Sequence, residues 1–64
     1  MKFNYNNNIK LVIRVYNNNA EILDRGFRSE EESWGYTELL GFLGTKCEEW
    51  IRDTDGGWIK MWEA

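Results

Sequence analysis

Apolar and polar residues alternate along the first quarter of the chain. Every odd position between residues 9 and 16 is apolar, and these positions hold Ile9, Leu11, Ile13 and Val15. Period-two alternation rich in β-branched residues is typical of a strand with one buried face. Phe3 and Tyr5 continue the odd pattern upstream, and three asparagines at 6–8 favour a turn. Residues 2–5 and 9–16 are therefore predicted to form a hairpin, with Phe3 and Tyr5 on its core face.

Two further strands are predicted downstream. Asparagines 17–19 predict another turn, followed by a strand over residues 20–28. In that strand Ile22 and Leu23 fall on opposite faces, which favours a bulge or twist near Gly26. The turn cluster at 53–57 precedes a last strand over residues 58–62. In that strand Ile59 and Met61 share one face, and the other face holds Trp58, Lys60 and Trp62.

One helix is predicted between these strands. Ser29, followed by three glutamates, fits a capping box in which Glu32 reaches back, although Thr37 is an alternative start. Apolar residues then recur at spacings of three and four up to residue 51. The stripe consists of Tyr36, Leu39, Leu40, Leu43, Cys47, Trp50 and Ile51. The predicted fold is a single α+β domain over residues 1–64, a small antiparallel sheet with one helix packed on a face, in the order β-β-β-α-β.

The short length limits how this domain is stabilised. A chain of 64 residues supports only a small core, and small domains usually need a disulfide, a metal or a partner. With Cys47 as the only cysteine and no histidine, an internal disulfide is impossible and the usual nitrogen ligands for zinc are missing. We therefore expect a core rich in aromatic residues, or a dimer.

Candidate chemistry points away from catalysis. The sequence shows no catalytic, metal or cofactor motif. Because it contains no histidine, a carboxylate would have to act as a general base. Cys47 lies in the apolar stripe and is predicted to be buried and inert. Asp53 and Asp55 resemble the start of a calcium loop, but the twelfth position is Ala64 instead of glutamate, so a turn is predicted. The N-terminus lacks the apolar run of a signal peptide, and no stretch is long enough to span a membrane, so a cytoplasmic protein is expected.

Charge is divided unevenly between the two halves of the chain. Residues 1–28 carry five basic and two acidic side chains, a net charge of +3, and residues 29–64 carry three basic and nine acidic ones, a net charge of −6. On a continuous helix Glu31, Glu38 and Glu49 return to nearly the same azimuth, with Glu48 alongside. Asp53 and Asp55 extend the row beyond the helix. Such carboxylates can occupy a site meant for phosphates, although an acidic face that is only solvated fits the same pattern.

Trp58 and Trp62 are predicted to lie on the strand face that points away from the helix. If exposed, they form a candidate hot spot for a partner. The alternative is that they cover the edge of the core. The basic residues and aromatic rings of the first half also allow a nucleic-acid binder, but the net charge of −3 argues against direct binding of nucleic acid.

The order of elements from Leu11 to Leu43 resembles that of small acidic phage anti-CRISPR proteins. The similarity rests on the strand at 12–15, the asparagine turn, a return strand, the acidic run at 29–33 and an apolar helix. It implies a short sheet with helices that blocks the DNA-binding surface of a CRISPR nuclease by carboxylate mimicry. The single helix and the tryptophan-rich last strand depart from that pattern.

These observations favour a small acidic phage or mobile-element protein that inhibits a host defence or nucleic-acid-processing protein. Its partner would have a basic nucleic-acid-binding surface, and the host cytosol would be its location. The contact residues would be Glu31, Glu38, Glu48, Glu49, Asp53, Asp55, Trp58 and Trp62. The alternative is a homodimeric structural or regulatory interaction module whose tryptophan-bearing strand pairs with its own copy.

Overall fold

A computed structural model describes residues 3–16 and 22–63 as an antiparallel sheet with a helix on one face. The elements are β1 (Leu11–Tyr16), β2 (Ile22–Phe27), α1 (Glu30–Leu43), β3 (Lys46–Arg52) and β4 (Trp58–Glu63). The strands lie side by side in the order β2-β1-β3-β4. The predicted fold class, an antiparallel sheet with one helix packed on it, is confirmed. Within the described ranges the elements follow one another as β-β-α-β-β.

The strand predicted at the N-terminus is not formed by its described residues, 3–5. The turn at 6–8 is present, because the Ile9 backbone N–H donates to the Asn6 carbonyl over 3.1 Å. Before this turn, Phe3 and Tyr5 lie across the face of the sheet opposite to α1. The prediction that they share a face with Leu11 is therefore wrong. Side-chain parity does not carry through a turn into a segment that is not extended.

The helix ends eight residues earlier than the stripe predicted. Gly44 adopts the left-handed conformation with φ of 68°, and the Thr45 N–H donates to the Leu40 carbonyl over 3.0 Å, which closes the C-terminus. Residues after Gly44 form β3 instead, where Cys47 and Ile51 lie on one face of an alternating strand. Cys47 is buried, as predicted, but in the sheet and not in the helix.

Two apolar clusters hold the fold together, one on each face of the sheet. On the face toward α1, hereafter the helix-side face, the buried residues are Leu11, Ile13, Val15, Phe27, Leu40 and Cys47. On the opposite face Phe3 packs edge-on against Trp50 and Trp58 and covers Val12. The Arg52 side chain fastens this N-terminal segment, since it donates to the carbonyls of Ile9 and Asn6 over 2.9 Å each.

The sequence predicts a bulge or twist near Gly26, but the β1–β2 ladder has no bulge there, and the structure instead has a bulge in β4. The β1–β2 register is continuous. Gly26 instead allows the Ile9 side chain to pack closely against the backbone, because a Cβ at residue 26 would lie 2.8 Å from Ile9. Between β3 and β4 the register shifts, with Trp50 opposite Lys60 but Glu49 opposite Trp62. Among the described residues, no helix is long and apolar enough to cross a membrane.

Candidate protein-binding surface

One side of α1 combines acidic and aromatic side chains that the rest of the fold leaves uncovered. Residues spaced by three, seven and eleven along a helix lie within a narrow range of azimuth. In α1 this set is Glu31, Trp34, Glu38 and Phe42, hereafter the outer stripe. All four are exposed, and Trp34 and Phe42 keep 57% and 88% of their accessible surface. The stripe lies opposite Ser33 and Leu40, the helix residues that are buried against the sheet.

The start of α1 is fixed by its cap. The Ser29 hydroxyl accepts a hydrogen bond from the Glu32 N–H over 3.4 Å, and the Glu32 carboxylate accepts from the Arg28 N–H over 3.1 Å. The predicted N-cap at Ser29 is thus confirmed, but the Glu32 carboxylate accepts from the Arg28 N–H and not from the Ser29 N–H that would complete a capping box. In the helix that begins at this cap, Leu40 faces the core and the outer stripe faces away from it.

The electrostatics of α1 are those of an anionic surface. The helix contains four glutamates and no lysine or arginine. Neither Glu31 nor Glu38 forms an ion pair with any residue of 3–16 or 22–63. The two carboxylates are seven residues apart, which corresponds to about 10.5 Å along the helix axis.

Glu48, a predicted contact residue, is occupied within the fold. Its carboxylate accepts hydrogen bonds from the Tyr16 hydroxyl over 2.8 Å and the Trp50 ring N–H over 3.2 Å, and it lies 3.8 Å from the Lys60 ammonium. Burial by itself raises the pKa of this carboxyl. The two hydrogen bonds and the nearby Lys60 and Arg14 outweigh that effect, so the pKa lies below its usual value. Glu48 therefore joins three strands, and only 12% of its side chain is exposed.

Glu49 lies on the other face of the sheet from Glu48, because adjacent strand residues point to opposite sides. Burial raises the pKa of its carboxyl above the usual value, and the charge of Glu30 adds to the increase, whereas a hydrogen bond from the Trp62 ring opposes it. Glu49 therefore does not continue a helical row with Glu31 and Glu38, and the prediction of that row is wrong beyond Glu38. The reason is that the helix ends before it reaches Glu49.

Asp53 and Asp55 stabilise a turn, as the sequence predicted. Asp53 accepts a hydrogen bond from the Thr54 N–H over 2.7 Å, and Asp55 accepts from the Gly57 N–H over 2.9 Å. Carboxylates bonded to the backbone of their own turn are typical of these positions. The pair lies in the loop between β3 and β4 and is not continuous with α1.

The two tryptophans of β4 lie on different faces. Trp58 faces away from α1 as predicted, but it is buried beneath Phe3, and the Arg52 guanidinium lies 4.3 Å from its ring centre. Trp62 is moved to the helix-side face by the extra residue, Met61, and keeps 41% of its surface exposed. A shared exposed face for Trp58 and Trp62 is therefore wrong, and only Trp62 is accessible to a partner.

Three arginines of the sheet are engaged within the molecule. Arg14 donates two hydrogen bonds to Asp24, over 2.7 and 3.0 Å. Arg25 lies over the Phe27 and Tyr36 rings, and Arg52 binds backbone carbonyls. All three guanidinium groups are therefore held by contacts within the described fold.

Trp34 and Phe42 are the members of the outer stripe that sequence reasoning missed. Their spacing from Glu31 and Glu38 is helical and can be read in the sequence. The predicted apolar stripe runs through Leu39 and Leu43 instead, which are 54% and 63% exposed in the structure. The predicted stripe is aligned on apolar residues as far as residue 51. Because the helix ends before Gly44, the residues after it do not determine which side of α1 faces the sheet.

No known protein family, curated protein or solved structure matches this chain.

Proposed function

We propose that this protein binds a basic, nucleic-acid-binding surface of another protein through the outer stripe of α1 and thereby inhibits it. The observation that carries this proposal is the pairing of Glu31 and Glu38 with the exposed rings of Trp34 and Phe42. Large exposed apolar side chains are common at protein interfaces, and carboxylates select a cationic one. A small acidic protein made by a phage or mobile element against a host defence or nucleic-acid-processing protein fits this surface.

The proposed inhibition is competitive. Arginines and lysines that normally contact phosphates would contact Glu31 and Glu38, and the aromatic rings between and beside them would pack on the apolar parts of the same surface. Several charges on a preformed helix act together, although each exposed ion pair contributes little alone. Glu48, Asp53 and Asp55 support the fold and have no direct part in this contact.

The partner can be identified by crosslinking from the stripe. A Cβ at Gly35 would have no neighbouring atom within 4 Å, so a photo-crosslinking amino acid fits there beside Trp34. Crosslinking in a bacterial lysate should yield a protein with a basic nucleic-acid-binding surface, which is then purified for affinity measurements. A partner that has no such surface would contradict the proposal.

Binding of the purified partner then tests the charge pattern. The double variant Glu31→Gln/Glu38→Gln should bind about 2- to 30-fold more weakly, the equivalent of roughly 0.4–2 kcal/mol for two surface ion pairs, and with a shallower salt dependence. The double variant Asp53→Asn/Asp55→Asn removes the same charge elsewhere and keeps both turn acceptors, so it should bind like the wild type. Equal losses in both variants would mean that net charge and not the outer stripe attracts the partner.

A further inference from the structure

The helix-side face of the sheet is only half covered by α1. The helix packs chiefly against β1 and β2, so β3 and β4 extend beyond it on one side. The side chains on this part of the face are Glu49 and Ile51 of β3 and Ile59 and Trp62 of β4, hereafter the shelf. Ile59 and Trp62 keep 45% and 41% of their surface exposed, and Glu49 and Ile51 are half-buried.

The shelf has the width of one helix. Neighbouring strands are about 4.8 Å apart, so a helix centred over β3 and β4 would lie about 9.6 Å from one centred over β1 and β2. Helices that pack against each other have axes about 8–10 Å apart. A second helix therefore fits on the shelf beside α1, in contact with both the sheet and α1.

The side of α1 that borders the shelf is open. Thr37 and Gly41 follow Glu30 by seven and eleven residues, so the three share nearly one azimuth on the helix. Burial and the charge of Glu30 both raise the pKa of Glu49, which shows that this side of α1 lies next to β3. A Cβ at Gly41 would have no atom within 4 Å, so there is space beside it for another helix to approach closely.

The other side of α1 offers no comparable site. In the described part of the chain β2 is the outermost strand, so no further strand forms a floor beyond α1 there. Leu23, Leu39 and Leu43 are exposed along that side, but they form a rim without a floor. Arg25 lies over the Tyr36 ring and adds a positive charge to it.

The charge of the shelf favours a basic occupant. Glu30 and Glu49 border it, whereas among the described strand residues the only basic side chain on the helix-side face is Arg25, which lies on β2. A lysine or arginine placed between the two carboxylates would remove the repulsion between them. Ile59 and Trp62 provide apolar surface for the rest of the occupant.

We propose that the shelf binds an amphipathic basic helix of the partner protein, with apolar residues on Ile59 and Trp62 and a lysine or arginine between Glu30 and Glu49. The inference rests on the proposed function for its partner and names the element of that partner that is bound. Trp34 lies one turn after Glu30 and belongs to the outer stripe, so the two surfaces are continuous. An amphipathic helix in a groove is a common mode of protein recognition.

A labelled model peptide tests the shelf. The probe has about 18 residues, enough to form a helix in water, with leucines along one face and lysines along the other. A peptide of the same composition in scrambled order is the control. Fluorescence anisotropy should show saturable binding of the first peptide and about tenfold weaker binding, or less, of the scrambled one. Equal binding of the two peptides, or binding of neither, would overturn the proposal.

Substitutions on the two sides of α1 locate the bound peptide. Gly41→Phe places a ring over the shelf without a clash at its Cβ, and it should weaken binding by about tenfold or more. Leu43→Phe enlarges an exposed residue on the other side of α1 and should bind like the wild type. A folded Gly41→Phe variant that binds like the wild type would overturn the proposal.

Nuclear magnetic resonance of the wild type gives an answer that does not depend on how any variant folds. The amphipathic peptide should shift the signals of the Trp62 ring N–H and the Ile59 methyl groups and leave the methyl signals of Leu23 and Leu43 unchanged. Shifts at Leu23 and Leu43 in place of Trp62 and Ile59 would overturn binding to the shelf.

Binding of the captured partner separates this inference from the proposed function. If the shelf receives a helix of the partner, Gly41→Phe should weaken that complex as it weakens the peptide complex. A partner that loses affinity for Glu31→Gln/Glu38→Gln but binds Gly41→Phe like the wild type would overturn the shelf inference and leave the proposed function standing.

Discussion

Two adjacent glutamates show how much the role of a residue depends on its neighbours. Glu48 is surrounded by donors from Tyr16, Trp50 and Lys60, which hold its carboxylate in the charged form. Glu49 faces the helix side, where burial and Glu30 disfavour its charge. The sequence pattern predicts that both residues belong to one acidic row. Residue type and spacing alone do not reveal which donors a carboxylate will meet in the fold, or on which face of the sheet it will lie.

Replacing each glutamate by glutamine should separate these roles. The pKa of Glu48 is lower in the folded state, so its contribution to stability is present above the unfolded pKa and is lost as the pH falls. Glu48→Gln should therefore lower the free energy of unfolding at neutral pH and make that free energy fall less steeply as the pH is lowered.

The pKa of Glu49 is raised in the folded state, so its contribution to stability is present at low pH and is lost as the pH rises. Glu49→Gln should be neutral or stabilising at neutral pH.

Urea unfolding from acidic to neutral pH measures both effects, with each variant as the control for the other. A Glu48→Gln variant as stable as the wild type at neutral pH would mean that the contacts of the Glu48 carboxylate with Tyr16, Trp50 and Lys60 do not stabilise the sheet.

At the scale of elements, the ends of the helix differ in how well the sequence predicts them. The N-terminus follows from Ser29 and Glu32, because a cap is a local interaction among neighbouring residues. The C-terminus does not, because residues 46–52 carry apolar positions compatible with both a helix and a strand, and the pairing with β1 that selects the strand is not local. The left-handed Gly44 is the signal for the end, and in the sequence it is indistinguishable from a glycine tolerated within a helix.

The phase of α1 can be tested by two truncations that lie two residues apart. Leu40→Ala should lower the free energy of unfolding by about 2–5 kcal/mol, since Leu40 is 6% exposed and belongs to the core. Phe42→Ala should change it by less than about 0.5 kcal/mol, because that ring is 88% exposed. Thermal or urea unfolding gives both values, and a larger loss for Phe42 would place the outer stripe in the core.

For the whole molecule, local patterns predicted the fold class, whereas contacts between distant segments decided the arrangement of surfaces. The strand at β1, the cap of α1 and the last strand followed from periodicity and turn residues. The crossing of Phe3 over the sheet and the bulge that separates Trp58 from Trp62 did not, because both depend on long-range packing. Of the predicted contact residues, Glu31 and Glu38 remain together on one exposed helix, and this is why the proposed function rests on them.

Competition with nucleic acid shows whether the outer stripe occupies the nucleic-acid-binding surface of the partner. The partner captured through the outer stripe is loaded with a fluorescently labelled DNA duplex or RNA strand, whichever it binds, and this protein is titrated in while fluorescence anisotropy is recorded. We expect the label to be released in proportion to complex formation, and Glu31→Gln/Glu38→Gln to release it only at higher concentration. A ternary complex that keeps the labelled nucleic acid bound would contradict this expectation.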